Sequence, residues 1–343
     1  MSFDKYLSEQ ISLHPAMQNQ DMLKLCFQSA FGAEHLLKDS ARAYMMLEEE
    51  FNSVKAADGL LFEEISEDHM RINISVWKYK ELPLKWLFNI FVFSSNMNSG
   101  SNEKFLEYLD ICRAKTEPLI WDSFINEYKR NGIKPVHHSE YYRENERPSY
   151  RLANKCFINV LPILEAALKH SSKPCIIAID GRAASGKSTL AKYVSAAIGA
   201  DIVHMDDFFL PTNLRTTQRL NEVGGNIHYE RFMEEVLPKI KSEEHFSYNI
   251  FSCSKMELDG IREINSTDFR IIEGVYCLHP KFGNYADICV FSDIDSDAQM
   301  ERIINRDGKN YAKVFESTWI PMEEAYFNAF NISEKCILHI NNN

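Results

Sequence analysis

Residues Gly181-Arg182-Ala183-Ala184-Ser185-Gly186-Lys187-Ser188 fit the pattern G-x-x-x-x-G-K-[ST], whose residue types suit the grip of a phosphate chain. Glycines at both ends let the backbone curl so that successive N–H groups point inward. A helix starting near Lys187 adds its positive end to the same cavity. Lys187 would reach the outer phosphates as a point charge, Ser188 would offer its hydroxyl to Mg²⁺, and Thr189 would bond the inner phosphate. A second acidic signal follows in His204-Met205-Asp206-Asp207-Phe208-Phe209. A carboxylate at that point could orient and deprotonate a hydroxyl attacking the γ-phosphate of ATP; the plainer reading is an acid pair that caps a helix or faces Mg²⁺.

These residues need a scaffold, and the sequence around them supplies one. From Lys173 onward, short apolar runs alternate with amphipathic stretches. Strands are expected at 175–180, 201–205, 269–273 and 287–291, and helices at 187–198, 229–241, 296–306 and 321–330. The pattern predicts an α/β, doubly wound parallel sheet of the P-loop NTPase kind, with the phosphate loop between a buried strand and a helix and the acid pair at a strand's C-terminal end. No N-K-x-D run of a guanine-reading switch and no L-S-G-G-Q signature of a transporter ATPase is present, so small-molecule phosphoryl transfer rises among the readings.

The phosphate loop, M-D-D-F-F, then Ile271-Ile272-Glu273-Gly274-Val275-Tyr276 and an Arg-bearing helix near 302–306 together resemble the uridine kinase and phosphoribulokinase family of P-loop kinases, over roughly residues 173–330. The resemblance implies Asp206 as the base that activates the acceptor, Asp207 as an acid on the metal side and Glu273 as the acid near Mg²⁺. It also implies that Arg302 and Arg306, four residues apart and so on one helical face, close over the phosphates. Acceptor contacts are implied at Asn226, His228 and Tyr248. His228 stands where an Asp would be looked for and Cys253 near an expected His, and a neutral imidazole cannot accept two hydroxyl donors as a carboxylate does. The resemblance therefore implies an ATP- and Mg²⁺-dependent kinase for a hydroxyl of a small metabolite, a nucleoside first. A sugar, sugar phosphate or hydroxy acid is the nearest alternative, and a regulatory ATP-binding protein the rival of another class.

The rest of the 343 residues carries no comparable motif. Residues 1–150 read as a mainly helical domain, with helices at 20–50 (Asp21 as N-cap, Gly32 ending or bending it), 84–95 and 103–130, and a strand over Arg71–Tyr79. A polar segment, 135–150, marks the boundary, and 151–172 reads as a connecting helix before the kinase domain at 173–343. The adjacent Glu34 and His35, and His14, His137 and His138, show no convergence that would make a metal site, and no chemistry is assigned to this half. Oligomerisation, covering the acceptor pocket and sensing a second ligand are the roles open to it.

A net charge of −11 opposes non-specific binding to nucleic acid or anionic lipid. Even the run from Trp86 to Phe93 is broken by Asn89, far short of a membrane span. Eight cysteines without a C-x-x-C pair, and an N-terminus without an apolar core, read as reduced thiols in a cytoplasmic protein.

Overall fold

The computed structural model describes residues 2–33, 39–97 and 100–342; Glu34 and His35 lie outside the described residues. The chain divides into two compact units, Met1–Ile158 and Asn159–Asn343.

In the first unit, helices at Phe3–Leu13, Asn19–Phe31, Ser40–Ser53, Leu84–Ser95, Asn102–Arg113 and Pro118–Arg130 accompany a small antiparallel sheet. Its strands are β1 (Phe62–Glu64), β2 (His69–Asn73) and β3 (Tyr150–Asn154), in the order β1-β2-β3. Several expectations are corrected here. Asp21 is not the N-cap of its helix: Gln18 is, and Asp21 sits at the third helical position, where its carboxylate accepts from the Gln18 N–H in a reciprocal box. Gly32 does end that helix. The alternation from Arg71 stops at Asn73, whose side chain accepts from the Ser75 and Val76 amides and starts a helix over Ile74–Tyr79. Residues 151–169 are not one helix, since β3 pairs with β2 through residue 154 and the helix begins only at Leu161.

The interior of this unit holds a polar network. Arg71, 2% exposed, donates to Gln10 and Gln28, and its guanidinium lies 4.7 Å from the centre of the Tyr150 ring. The Tyr150 hydroxyl meets His138 at 2.7 Å, and His138 meets Asp21 at 2.7 Å. Burial drives the His138 pKa down to about 4, against the pull of Asp21. His14 is held between Glu63 and Glu146. A buried guanidinium with every partner aligned is costly to remove, because the partners lose their donors. Arg71→Met is expected to destabilise the protein by about 3 kcal/mol, read as a lowered midpoint in urea denaturation; an unchanged midpoint would show that the network contributes nothing to stability.

The second unit is built on a five-stranded, all-parallel sheet. Its strands are β4 (Cys175–Gly181), β5 (Asp201–His204), β8 (Phe269–Glu273), β9 (Ile288–Asp293) and β10 (Leu338–Asn341), in the order β10-β9-β4-β8-β5. A separate antiparallel hairpin, β6 (Phe246–Ser252) with β7 (Glu257–Ile264), lies between β5 and β8 in sequence. β4 is fully buried along its length because both faces are covered. Ile176 and Ala178 join a cluster with Val203, Ile272, Phe232, Val236, Tyr326 and Ile332, so Ile177 and Ile179 point to the other face, where the helix Lys187–Ile198 packs on β4, β5 and β8. The expected helix at 229–241 is two short ones, Tyr229–Glu235 and Leu237–Ile240, with Pro238 inside the second's first turn.

The chain leaves β4 for the β5 edge, returns to β8, and then crosses to β9 and β10 on the other side of β4. Ligands of open α/β sheets bind where the order reverses in this way, beyond the strands' C-terminal ends. Those ends carry Gly181, His204, Glu273 and Asp293. No helix among the described residues is long and apolar enough to cross a membrane.

Candidate active site

The loop after β4 has the backbone of an anion cradle. Gly181 has φ +142°, and a Cβ there would stand 2.0 Å from the Ser292 carbonyl oxygen on β9, so no other residue fits. Gly186, at φ +90°, turns the chain into the helix Lys187–Ile198, while Ala184 is held at φ +56°, a left-handed conformation unusual for a residue with a Cβ. The loop's first amides are engaged: Gly181 donates to Asp180, Arg182 to the Ser292 carbonyl, Ala183 to Glu323 and Ser185 to the Arg182 carbonyl. Among the described residues, the N–H groups of Ala184, Gly186, Lys187, Ser188 and Thr189 find no acceptor in the protein. Free donors around a helix N-terminus are what a phosphate oxygen requires. The Lys187 ammonium is folded back onto the Arg182 carbonyl at 2.7 Å, at the mouth of this cradle.

Ser188 and Glu273 meet directly: the hydroxyl donates to the Glu273 carboxylate at 3.0 Å, and the other Glu273 oxygen bonds His204 Nδ1. This places a hydroxyl and a carboxylate, both hard oxygen donors, beside the free amides, and that donor set suits Mg²⁺. His204 carries no expectation from the sequence, yet it orients this acid.

The acid pair splits. Asp206 is open to solvent at the end of β5 but crowded by protein, and that confinement, followed by the charge of Glu273, raises its pKa above the usual carboxylate range; Lys187 pulls the other way. Asp207 turns inward, where its Oδ2 accepts from the Tyr248 hydroxyl and from Arg262 Nε, each at 2.9 Å. The structure therefore joins Asp207 to the β6–β7 hairpin and not to Ser188 and Glu273. Tyr248 is occupied by the same contact and by the His204 amide. His228 caps the helix Tyr229–Glu235 by accepting from the Arg231 amide. Of the three expected acceptor contacts, Tyr248 has its hydroxyl engaged and His228 spends Nδ1 on the cap, while the buried Oδ1 of Asn226 has no partner among the described residues.

The two arginines also part. Arg302 donates to the Ala184 carbonyl of the loop at 3.3 Å and to the Asn342 carbonyl. Arg306 is exposed and paired with Asp307, with its guanidinium near the Phe315 ring.

Sequence reasoning missed the pair Glu323 and Glu324 on the helix Ile320–Phe330. Glu324 forks onto Arg182, which Asp293 also grips. Glu323 accepts the Ala183 amide at 2.9 Å, and burial pushes its pKa up to about 7 against the pull of Lys187. A raised acid pKa means that the folded protein binds the proton more tightly than the unfolded chain. Stability from this group is therefore present below the ordinary Glu range and is lost as pH rises through about 7. Glu323→Gln removes this dependence: relative to the variant, the native protein is expected to lose about 3 kcal/mol between pH 4.5 and 7. Denaturant titrations at several pH values check it, and parallel curves for the two proteins would overturn it.

A five-stranded parallel sheet with such a loop at the end of its central strand defines a P-loop fold. No family model matches the chain. The chain is 25% identical over 145 residues to a chloroplastic uridine/cytidine kinase of Arabidopsis thaliana, an alignment covering 39% of this chain and 30% of that protein. A solved structure described as a possible uridine kinase, from Bacillus stearothermophilus, aligns at 19% identity and a TM-score of 0.42, covering 53% of this chain and 96% of its own. A candidate fructose transport system kinase from Silicibacter sp. aligns at 19% identity and a TM-score of 0.43, covering 54% and 98%. The chain thus spans less than a third of the length of the curated Arabidopsis relative.

Proposed function

We propose that this protein is an ATP-dependent kinase that transfers the γ-phosphoryl group to a hydroxyl of a small metabolite of the nucleoside kind. The observation that carries the reading is the set of free loop amides from Ala184 to Thr189 at a helix N-terminus, with Lys187 at their mouth and an acid, Asp206, within reach of the same lysine's charge. Phosphoryl transfer asks a protein mainly for positioning and charge stabilisation.

In this reading the loop amides and Lys187 bind the triphosphate, with Lys187 leaving the Arg182 carbonyl to do so. Ser188 and Glu273 would hold a magnesium ion, which when bound offsets charge on the phosphate oxygens. Asp206 orients the acceptor hydroxyl and takes its proton as the oxygen attacks; its raised pKa suits a group that must accept a proton near neutrality. Arg302, already against the loop, is the nearer of the two arginines to the developing charge, and Arg306 would have to leave Asp307 to join it. Asp207 supports from behind, fixing Tyr248 and the hairpin beneath the acceptor.

The test is turnover. The purified chain with MgATP should release ADP slowly alone and much faster with nucleosides present, with the phosphorylated acceptor seen by mass. ADP release that no acceptor accelerates would count against the kinase reading and favour a regulatory nucleotide-binding protein.

A further inference from the structure

Three buried polar side chains stand beside the first half of the phosphate loop without a full set of partners. Tyr276 and Asn226 are each 4% exposed, and the Tyr276 hydroxyl and Asn226 Oδ1 have no well-formed hydrogen bond among the described residues. Glu323, 7% exposed, spends one oxygen on the Ala183 amide, and the other takes no donor among the described residues. The Tyr276 hydroxyl lies within hydrogen-bonding reach of the Asn226 amide and feels the charge of Glu323, and Glu323 feels the charge of Lys187, so the three stand together near the first half of the phosphate loop. Buried polar atoms are nearly always paired, and an unpaired cluster at a ligand site signals the ligand's own groups.

The surrounding contacts close into a wall. Leu210, just after the Asp206 segment, donates its amide to the Asn226 carbonyl, and Phe209 pairs with Ile227. The Phe209 ring meets Trp319 edge-on at 6.0 Å, one turn before Glu323, and the Tyr276 ring packs on Tyr326 at 4.8 Å on the same helix. Asp206 and Glu323 both feel the charge of Lys187, and these contacts tie the segments that carry Asn226 and Tyr276 to theirs. Tyr276 is held there by a left-handed backbone, φ +74°, immediately after Gly274 and Val275, a conformation that a bulky residue adopts only when its surroundings impose it.

Resting on the kinase reading above, we infer that Tyr276, Asn226 and Glu323 form the specificity wall of the acceptor pocket, and that this wall selects an uncharged, hydroxyl-rich acceptor over one bearing phosphate or carboxylate. A hydroxyl can donate to Asn226 Oδ1 or Glu323 while accepting from Tyr276, which satisfies both orphans with one group. An anionic group has no donor proton for Asn226 Oδ1 and meets the Asp206 carboxylate as a like charge. The guanidiniums on these segments are engaged elsewhere: Arg182 with Asp293 and Glu324, Arg262 with Asp207, Arg219 with Glu230, and Arg231 with Glu235. Arg215 and Arg302 have no carboxylate partner among the described residues, and they are the cations that an anionic acceptor would have to use.

The experiment pairs two acceptor panels with one variant. The full chain with MgATP is offered uridine, cytidine, ribose and fructose, and separately ribulose 5-phosphate, fructose 6-phosphate and glycerate, while calorimetry measures MgATP binding. Phosphorylation confined to the first panel is expected. Tyr276→Phe, which keeps the ring packing, should raise the acceptor KM about tenfold with a much smaller change in the ATP KM. Preferred phosphorylation of the second panel, or an unchanged acceptor KM in Tyr276→Phe, overturns the inference and leaves the kinase reading standing. MgATP binding with no phosphorylation in either panel overturns both.

Discussion

Asp206→Asn is expected to lower acceptor-stimulated turnover by about a thousandfold while MgATP still binds. Asparagine keeps the size of the side chain and removes its ability to take the hydroxyl proton, so the loss falls on the chemical step. The carboxyl makes no hydrogen bond that another structural residue depends on; Asp207, its neighbour, carries the structural load through Tyr248 and Arg262. That difference supplies a control, since Asp207→Asn should lower stability more than Asp206→Asn does. The pH profile of the native protein adds a sign. A base with a raised pKa must be deprotonated to act, so turnover should rise with pH through a value above the ordinary aspartate range and then level off. Near-native turnover in Asp206→Asn, with ATP binding unchanged, would remove Asp206 as the base.

How much of this was legible beforehand depends on how local each signal is. The strand Phe269–Glu273 has the expected bounds, and the loop with its flanking strand and helix lies where the spacing puts it, because glycine conformation and continuous apolar runs are properties of neighbouring residues. The strand β7 was not visible: Glu257 to Ile264 is charged and almost wholly exposed, so it lacks the alternation that marks a half-buried strand. The edge strand β10 has four residues, and only its pairing with β9 makes it a strand. The Ile72, Ile74, Val76 spacing fits a strand by period alone, but the Asn73 cap overrides it. The same limit applies within the site. Motifs place Lys187 and Ser188 at the start of their helix and Glu273 at the end of β8, where the structure has them. That Asp207 belongs to Tyr248 and Arg262, or that a glutamate 140 residues from Ala183 occupies a loop amide, is a matter of tertiary approach that no spacing encodes. The N-terminal network is similar in kind: Arg71, Gln28, His138 and Asp21 are dispersed in sequence and meet only in the fold.

Lys187→Ala is expected to weaken MgATP binding by about 3 kcal/mol, roughly a hundredfold, and to depress turnover further. The ammonium is the only side-chain cation that the helix Lys187–Ile198 brings to the loop mouth; Lys192, the next one along, lies on the exposed side of the helix. The free amides supply partial charges and hydrogen bonds but no formal charge, so a triphosphate bound without Lys187 would sit against Asp206, Glu273 and Glu323 with too little to offset them. The loop itself should keep its shape, because Gly181 is fixed by the Ser292 carbonyl and Ala183 by Glu323 and Gln299, none of which involves the lysine. Without nucleotide, the substitution removes the hydrogen bond from the ammonium to the Arg182 carbonyl and the positive charge that Asp206 and Glu323 feel, whereas with nucleotide the stabilisation that MgATP confers should largely disappear. Melting curves with and without MgATP separate the two quantities. Equal nucleotide-induced shifts in the native protein and in Lys187→Ala would show that the ammonium does not clamp the phosphate chain.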